Sequence, residues 1–265
     1  EELMSYFKSP AYASKYAAQA LLAKVYMYMS GTFENPNKEY AQLSYNYANE
    51  VIESNQFSLL SRSTFMTYNE LAPDAASQTE TIFAVKFIAS DWDDWGSPLG
   101  SMYAEIDGQG WGEVYASAKY MDLLHETGKN TDAREAFIHP QYKKNDAGDQ
   151  IPAFRFVANL YTDGKISGYV YRQGETKEVG GKLIATVDDE EYTLTPVDVD
   201  NKRYSISYKG KTYVGDYDYL MLESQGNPKF YSYKCSKQEG YPHLYSPVIS
   251  RLRELYLIRA EASAK

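Results

Sequence analysis

Apolar positions along this chain change their spacing twice. From residue 10 to 54 they recur every three or four residues, as on one face of a helix. Ser9-Pro10 reads as a helix start and Ser30-Gly31 as its stop. A helix is predicted over 10–29, with Ala18, Leu21, Leu22, Val25 and Met29 lining one side. After Asn35-Pro36-Asn37 a second helix is predicted over 38–54. Tyr40, Leu43, Tyr47 and Val51 share one face, with Ala41 and Ala48 beside them. Two amphipathic helices joined by a short loop, with small residues at the contact, make a tetratricopeptide-type hairpin. One such hairpin cannot bury its own face and needs stacked neighbours. At the far end Leu252, Leu255, Ile258 and Ala262 make a third stripe. It belongs to a helix predicted over 247–264, with Ser246 as N-cap and Pro247 in the first helical position. This helix reads as half of another hairpin.

Between about 160 and 220 the period becomes two. GYVYRQ, KLIATV, EYTLTP, RYSISY and KTYVGDY each read as short strands. Gly174, Gly180-Gly181, Asp188-Asp189, Asp200-Asn201 and Lys209-Gly210 mark the turns between them. Five strands can be stable where a lone ribbon is not. The expected fold is therefore mostly α: a tetratricopeptide-like helical scaffold over 1–265 with a small antiparallel β insertion at about 162–222.

The charge narrows the partners. The 265 residues carry a formal net charge of −9, which disfavours nucleic acid and anionic lipid. No segment approaches the roughly 20 apolar residues of a membrane span. The first residues, EELMSYFKSP, contain no apolar signal core. A single cysteine, Cys235, forbids an internal disulfide and reads as a part-buried thiol. His125, His139 and His243 are scattered without ligand spacing, so no metal site is expected.

Chemistry concentrates at 91–115, DWDDWGSPLGSMYAEIDGQGWGEVY. All three tryptophans fall here: Trp92, Trp95 and Trp111. Tyr103 and Tyr115 accompany them. Five glycines make the segment a loop without core periodicity. Aromatics interleaved with Gly, Asp and Gln on a loop suit a ligand with an apolar face and a hydroxyl rim, such as a sugar ring. Asp94 and Gln109 are candidates for the rim. The bland reading is a Trp-anchored plug on the helices. Asp93 or Asp94 with Glu105 could make a glycosidase pair, but nothing sets their separation. DWDD lacks calcium-loop spacing, and GQGWG neither follows a strand nor opens a helix. No enzyme activity, cofactor or metal is expected.

Four elements carry a family resemblance. They are ALLAKVYMYM followed by SYNYANEVIES, ETIFAVKF at 80–87, Asp132 and Arg134 in NTDAREAF, and RLRELYLIRAEA near the end. In this order they resemble elements of the SusD-like (RagB/SusD) outer-membrane glycan-binding lipoproteins. The resemblance implies a non-catalytic protein that captures glycans for uptake through a SusC-like TonB-dependent transporter. It also implies a surface-exposed lipoprotein whose lipid-bearing cysteine lies outside this chain, and family members longer at both ends. The β insertion departs from the family's pattern. The alternative is a helical-repeat protein–protein interaction module with a Tyr-rich peptide groove.

Overall fold

Ser14, not Ser9, caps the first helix, α1 (Lys15–Met29): its side chain accepts the Ala17 N–H at 3.1 Å. Asn37 caps α2 (Lys38–Glu53) in the same way through the Tyr40 N–H. The computed structural model describes residues 9–90, 96–126, 128 and 131–265. It divides into two compact units, Glu1–Trp111 with Lys234–Lys265, and Gly112–Tyr233.

In the first unit α1 and α2 approach closely. The Ser44 hydroxyl donates to the Ala23 carbonyl at 2.7 Å, and Ala20, Ala23, Ala41 and Ala48 are buried. The stripe expected to be buried is the one turned outward. Ala18, Leu21, Leu22, Val25 and Met29 are all exposed. α1 is apolar on two sides, and only its alanine side is small enough for a helix at this spacing.

The last helix, α6 (Leu252–Ala264), buries Leu252, Leu255, Ile258 and Ala262 as expected. It docks on this hairpin, with Arg259 bonded to Asn49 at 2.8 Å and Lys24 paired with Glu254 at 2.7 Å. Its start is five residues later than the sequence suggests. Val248–Arg251 forms strand β13, antiparallel to β1 (Thr81–Ala84). Ser246 does not cap a helix; its hydroxyl accepts the Phe87 N–H. Glu80 does the capping from a distance. It is 1% exposed, accepts the Arg253 N–H at 3.3 Å and the Leu60 N–H at 3.2 Å, and pairs with the Arg253 guanidinium. Burial works against its charge, but these donors hold its carboxyl below the usual range.

The second unit overturns the expectation of a mostly α chain. Among the described residues strand is as abundant as helix, and a seven-stranded curled antiparallel sheet dominates this unit. Its strands are β3 (Pro152–Thr162), β4 (Lys165–Val179), β5 (Lys182–Val187), β6 (Glu190–Thr193), β7 (Thr195–Asp198), β8 (Arg203–Tyr208) and β9 (Lys211–Tyr219). Their order is β6-β5-β4-β3-β9-β8-β7. The sheet begins at Pro152, ahead of the expected 162, because β3 precedes the run of Tyr-rich strands.

β4 creates the curl. It pairs with β3 up to Glu175 and with β5 from Thr176 onward. At the switch sits Gly174, where any side chain would strike the Thr186 carbonyl. The concave face buries Phe154, Phe156, Ala158, Ala185, Val187, Leu194 and Ile206. The curl brings Tyr192 of β6 within 5.8 Å of Tyr208 of β8, ring to ring. On the other face the short helix α5 (Ala118–Leu124) sets Met121 and Leu124 against Tyr171, Met221 and Phe230.

Candidate functional site

In the first unit the glycine-rich loop is pinned at several points. Ser97 caps a one-and-a-half-turn helix, α4 (Pro98–Tyr103), with Pro98 in its first turn. Ile106 and Gln109 exchange main-chain bonds of 2.8 and 2.9 Å, closing a tight turn. The Trp111 N–H then returns to the Ser101 carbonyl at 2.7 Å. Ser101 is held from the other side by His243 Nδ1 at 2.7 Å. Two glycines permit this packing. A side chain at Gly100 would strike the Pro242 carbonyl, and one at Gly110, with φ +88°, would strike the Ala104 carbonyl.

Trp111 emerges from this anchored loop 41% exposed. Tyr103 and Gln109 are half-buried. The Gln109 side-chain oxygen is buried without a hydrogen-bond partner among the described residues. Trp92, Trp95 and Asp94 lie outside the described residues. Tyr115 belongs to the second unit and is half-buried. In the first unit Tyr103, Gln109 and Trp111 lie on one short segment of chain. Burial pushes the Cys235 thiol up, away from the thiolate. Among the described residues no cluster of His, Cys, Asp and Glu could hold a metal ion.

The second unit contains a site that sequence reasoning missed. On the α5 side of the sheet, Asp216 accepts from Arg203 at 2.9 Å and from His125 Nδ1 at 2.7 Å. The second ring nitrogen, Nε2, lies 2.9 Å from Glu135. Arg155, 5% exposed, binds Asp218 at 2.8 Å, and the Tyr142 hydroxyl donates to the same carboxylate at 2.8 Å. Burial alone would depress His125, but the two carboxylates outweigh it and raise its pKa. Burial pushes the Tyr142 hydroxyl up to about 12. Beside this network lies a cleft of about 590 Å³, lined by α5, His125, Glu126, Gly128 and strands β3, β7, β8 and β9. Its members come from four separate stretches of chain, so no local motif announces it.

No protein-family model matches this sequence, and no curated protein matches it. Among solved structures, a SusD superfamily protein from Parabacteroides distasonis ATCC 8503 superposes with a TM-score of 0.50 at 15% identity, over 95% of this chain and 40% of the other. Another, from Bacteroides vulgatus ATCC 8482, gives 0.42 at 18% identity over 98% of this chain and 38% of its own. The chain is SusD-like in fold, and it spans about 40% of the length of the first of these structures.

Proposed function

We propose that this SusD-like chain is a non-catalytic carbohydrate-binding protein of a nutrient-uptake system. In this reading it is a surface-exposed lipoprotein of the outer membrane that works with a SusC-like TonB-dependent transporter. One observation carries the ligand class: a tryptophan left 41% exposed at the end of a loop that is otherwise pinned. A rigidly held, part-exposed indole covers the C–H face of a sugar at little entropic cost. In the first unit Trp111, Tyr103 and Gln109 supply this surface, with Trp92, Trp95 and Asp94 as further candidates; Tyr115, in the second unit, is a candidate by itself. Among the described residues no helix is long and apolar enough to cross a membrane.

The test is a panel of neutral and acidic oligosaccharides followed by tryptophan fluorescence and calorimetry. Trp111→Ala is expected to weaken binding tenfold or more while the melting temperature stays nearly unchanged. A residue that merely plugs the loop behaves the opposite way, losing about 3 to 5 kcal/mol of stability with binding retained. Reducing ends released from any member of the panel would refute the non-catalytic assignment.

A further inference from the structure

The cleft in the second unit has a shape dictated by strand pairing. β3 and β9 share a ladder only from Pro152↔Tyr219 to Phe156↔Gly215. β3 then runs on to Thr162, and β9 begins at Lys211. The two strands therefore fork. At the vertex, Gly215 lies so close to β3 that a side chain there would strike the Arg155 carbonyl. Beyond it Val157 and Asn159 form one wall and Thr212 and Val214 the other. Main-chain groups of a strand point alternately to its two neighbours. Past Phe156, β3 has β4 on one side and no ladder on the other. The groups on that side form an internal sheet edge, which is a template for another extended chain.

The side chains around the fork argue for the same occupant. Lys119 is paired with Asp122 at 3.0 Å, Arg203 and His125 with Asp216, and Asp198 with Asn201 at 2.8 Å. Among the described residues Glu126 is the lining charge without a bonded partner, and it is exposed. The one phenol ring on the lining, Tyr213, packs into the concave core, 5.5 Å from Phe156. The exposed rings next to the lining, Tyr161 and Tyr169, each already carry a lysine ammonium over the ring, from Lys211 and Lys119. A peptide would find main-chain partners on β3 and a carboxylate at the mouth.

We propose that the β3–β9 fork binds a short extended peptide segment bearing a basic residue, which pairs with the open edge of β3 and sets its cation against Glu126. This goes beyond the sugar reading and does not rest on it.

The probe is a pool of capped pentapeptides with lysine fixed at the centre, beside an identical pool with glutamate there. Each is titrated into the isotope-labelled full chain and read by amide chemical shifts. The lysine pool is expected to shift the amides of 157–160 and 212–214, and the glutamate pool to bind more weakly. Glu126→Gln should weaken the lysine pool about two- to fivefold, the scale of an exposed ion pair. Thr212→Arg, at an exposed position, fills the fork and should abolish the shifts; Asn159→Arg is the second blocking variant, and the same spectra report whether each is folded. Trp111→Ala should leave the peptide shifts intact, so the fork and the sugar loop stand or fall separately. The proposal is overturned if neither pool shifts these amides, if both folded blocking variants bind as the parent does, or if neutral oligosaccharides shift them instead.

Discussion

His125 is 3% exposed, with Asp216 and Glu135 each within hydrogen-bond distance of one ring nitrogen. Arg203 and Arg155 face the same Asp216 carboxylate from β8 and β3. The folded state therefore favours the imidazolium, and the pKa of His125 is raised above its unfolded value of about 6.5. A raised histidine stabilises fully below that unfolded value, and its contribution disappears as pH climbs through the folded pKa. Urea unfolding followed from pH 6 to pH 9 should show stability falling with pH, and His125→Leu should remove that slope. At pH 6 the variant should also lose about 1.5 to 3 kcal/mol, the scale of a hydrogen bond to a charged group, while Arg203 keeps Asp216 paired. An unchanged slope in the variant would refute the assignment. None of this was legible from spacing. Asp216 is 91 positions from His125, and a lone histidine in sequence looks the same with or without such a partner.

Elements were legible where one periodicity excluded the other. KLIATV and RYSISY match β5 (Lys182–Val187) and β8 (Arg203–Tyr208) residue for residue, because strict alternation cannot lie on one face of a helix. β3 was missed, although Phe154, Phe156 and Ala158 alternate inward. Its outward Arg155, Val157 and Asn159 only make sense with the buried ion network and α5 above them. In α1 the helix was right and the face wrong. A hydrophobic stripe is read by size, whereas close helix packing selects for smallness. Ala48→Leu should therefore cost about 1 to 3 kcal/mol by overpacking the α1–α2 contact, while Leu21→Ser on the outward stripe should stay within about 0.5 kcal/mol. Denaturant unfolding of the two variants decides this. A larger loss for Leu21→Ser would mean that the stripe is buried after all.

The second unit has two apolar clusters of its own, one inside the curl and one beneath α5. A fragment of residues 112–233 is expected to melt cooperatively, with the near-ultraviolet signal of ordered tyrosines; a molten, non-cooperative fragment would show that its cores are incomplete. The same clusters explain why the whole was misjudged as mostly α. Helical stripes at both ends of the chain suggest a helical scaffold that outweighs the alternating middle, whereas strand is as abundant as helix among the described residues and the sheet dominates the second unit. What the sequence determined by itself were features written in neighbouring residues. These are the helical stripes, the alternation from 168 to 217, the glycine-rich aromatic loop, and the four ordered elements whose SusD-like resemblance the fold upholds. Tertiary structure alone decided which face of α1 is buried, which carboxylate caps α6, which groups raise the pKa of His125, and where β3 parts from β9. Each of these depends on atoms far apart along the chain, and contact between such atoms is set by packing and strand pairing rather than by local preference.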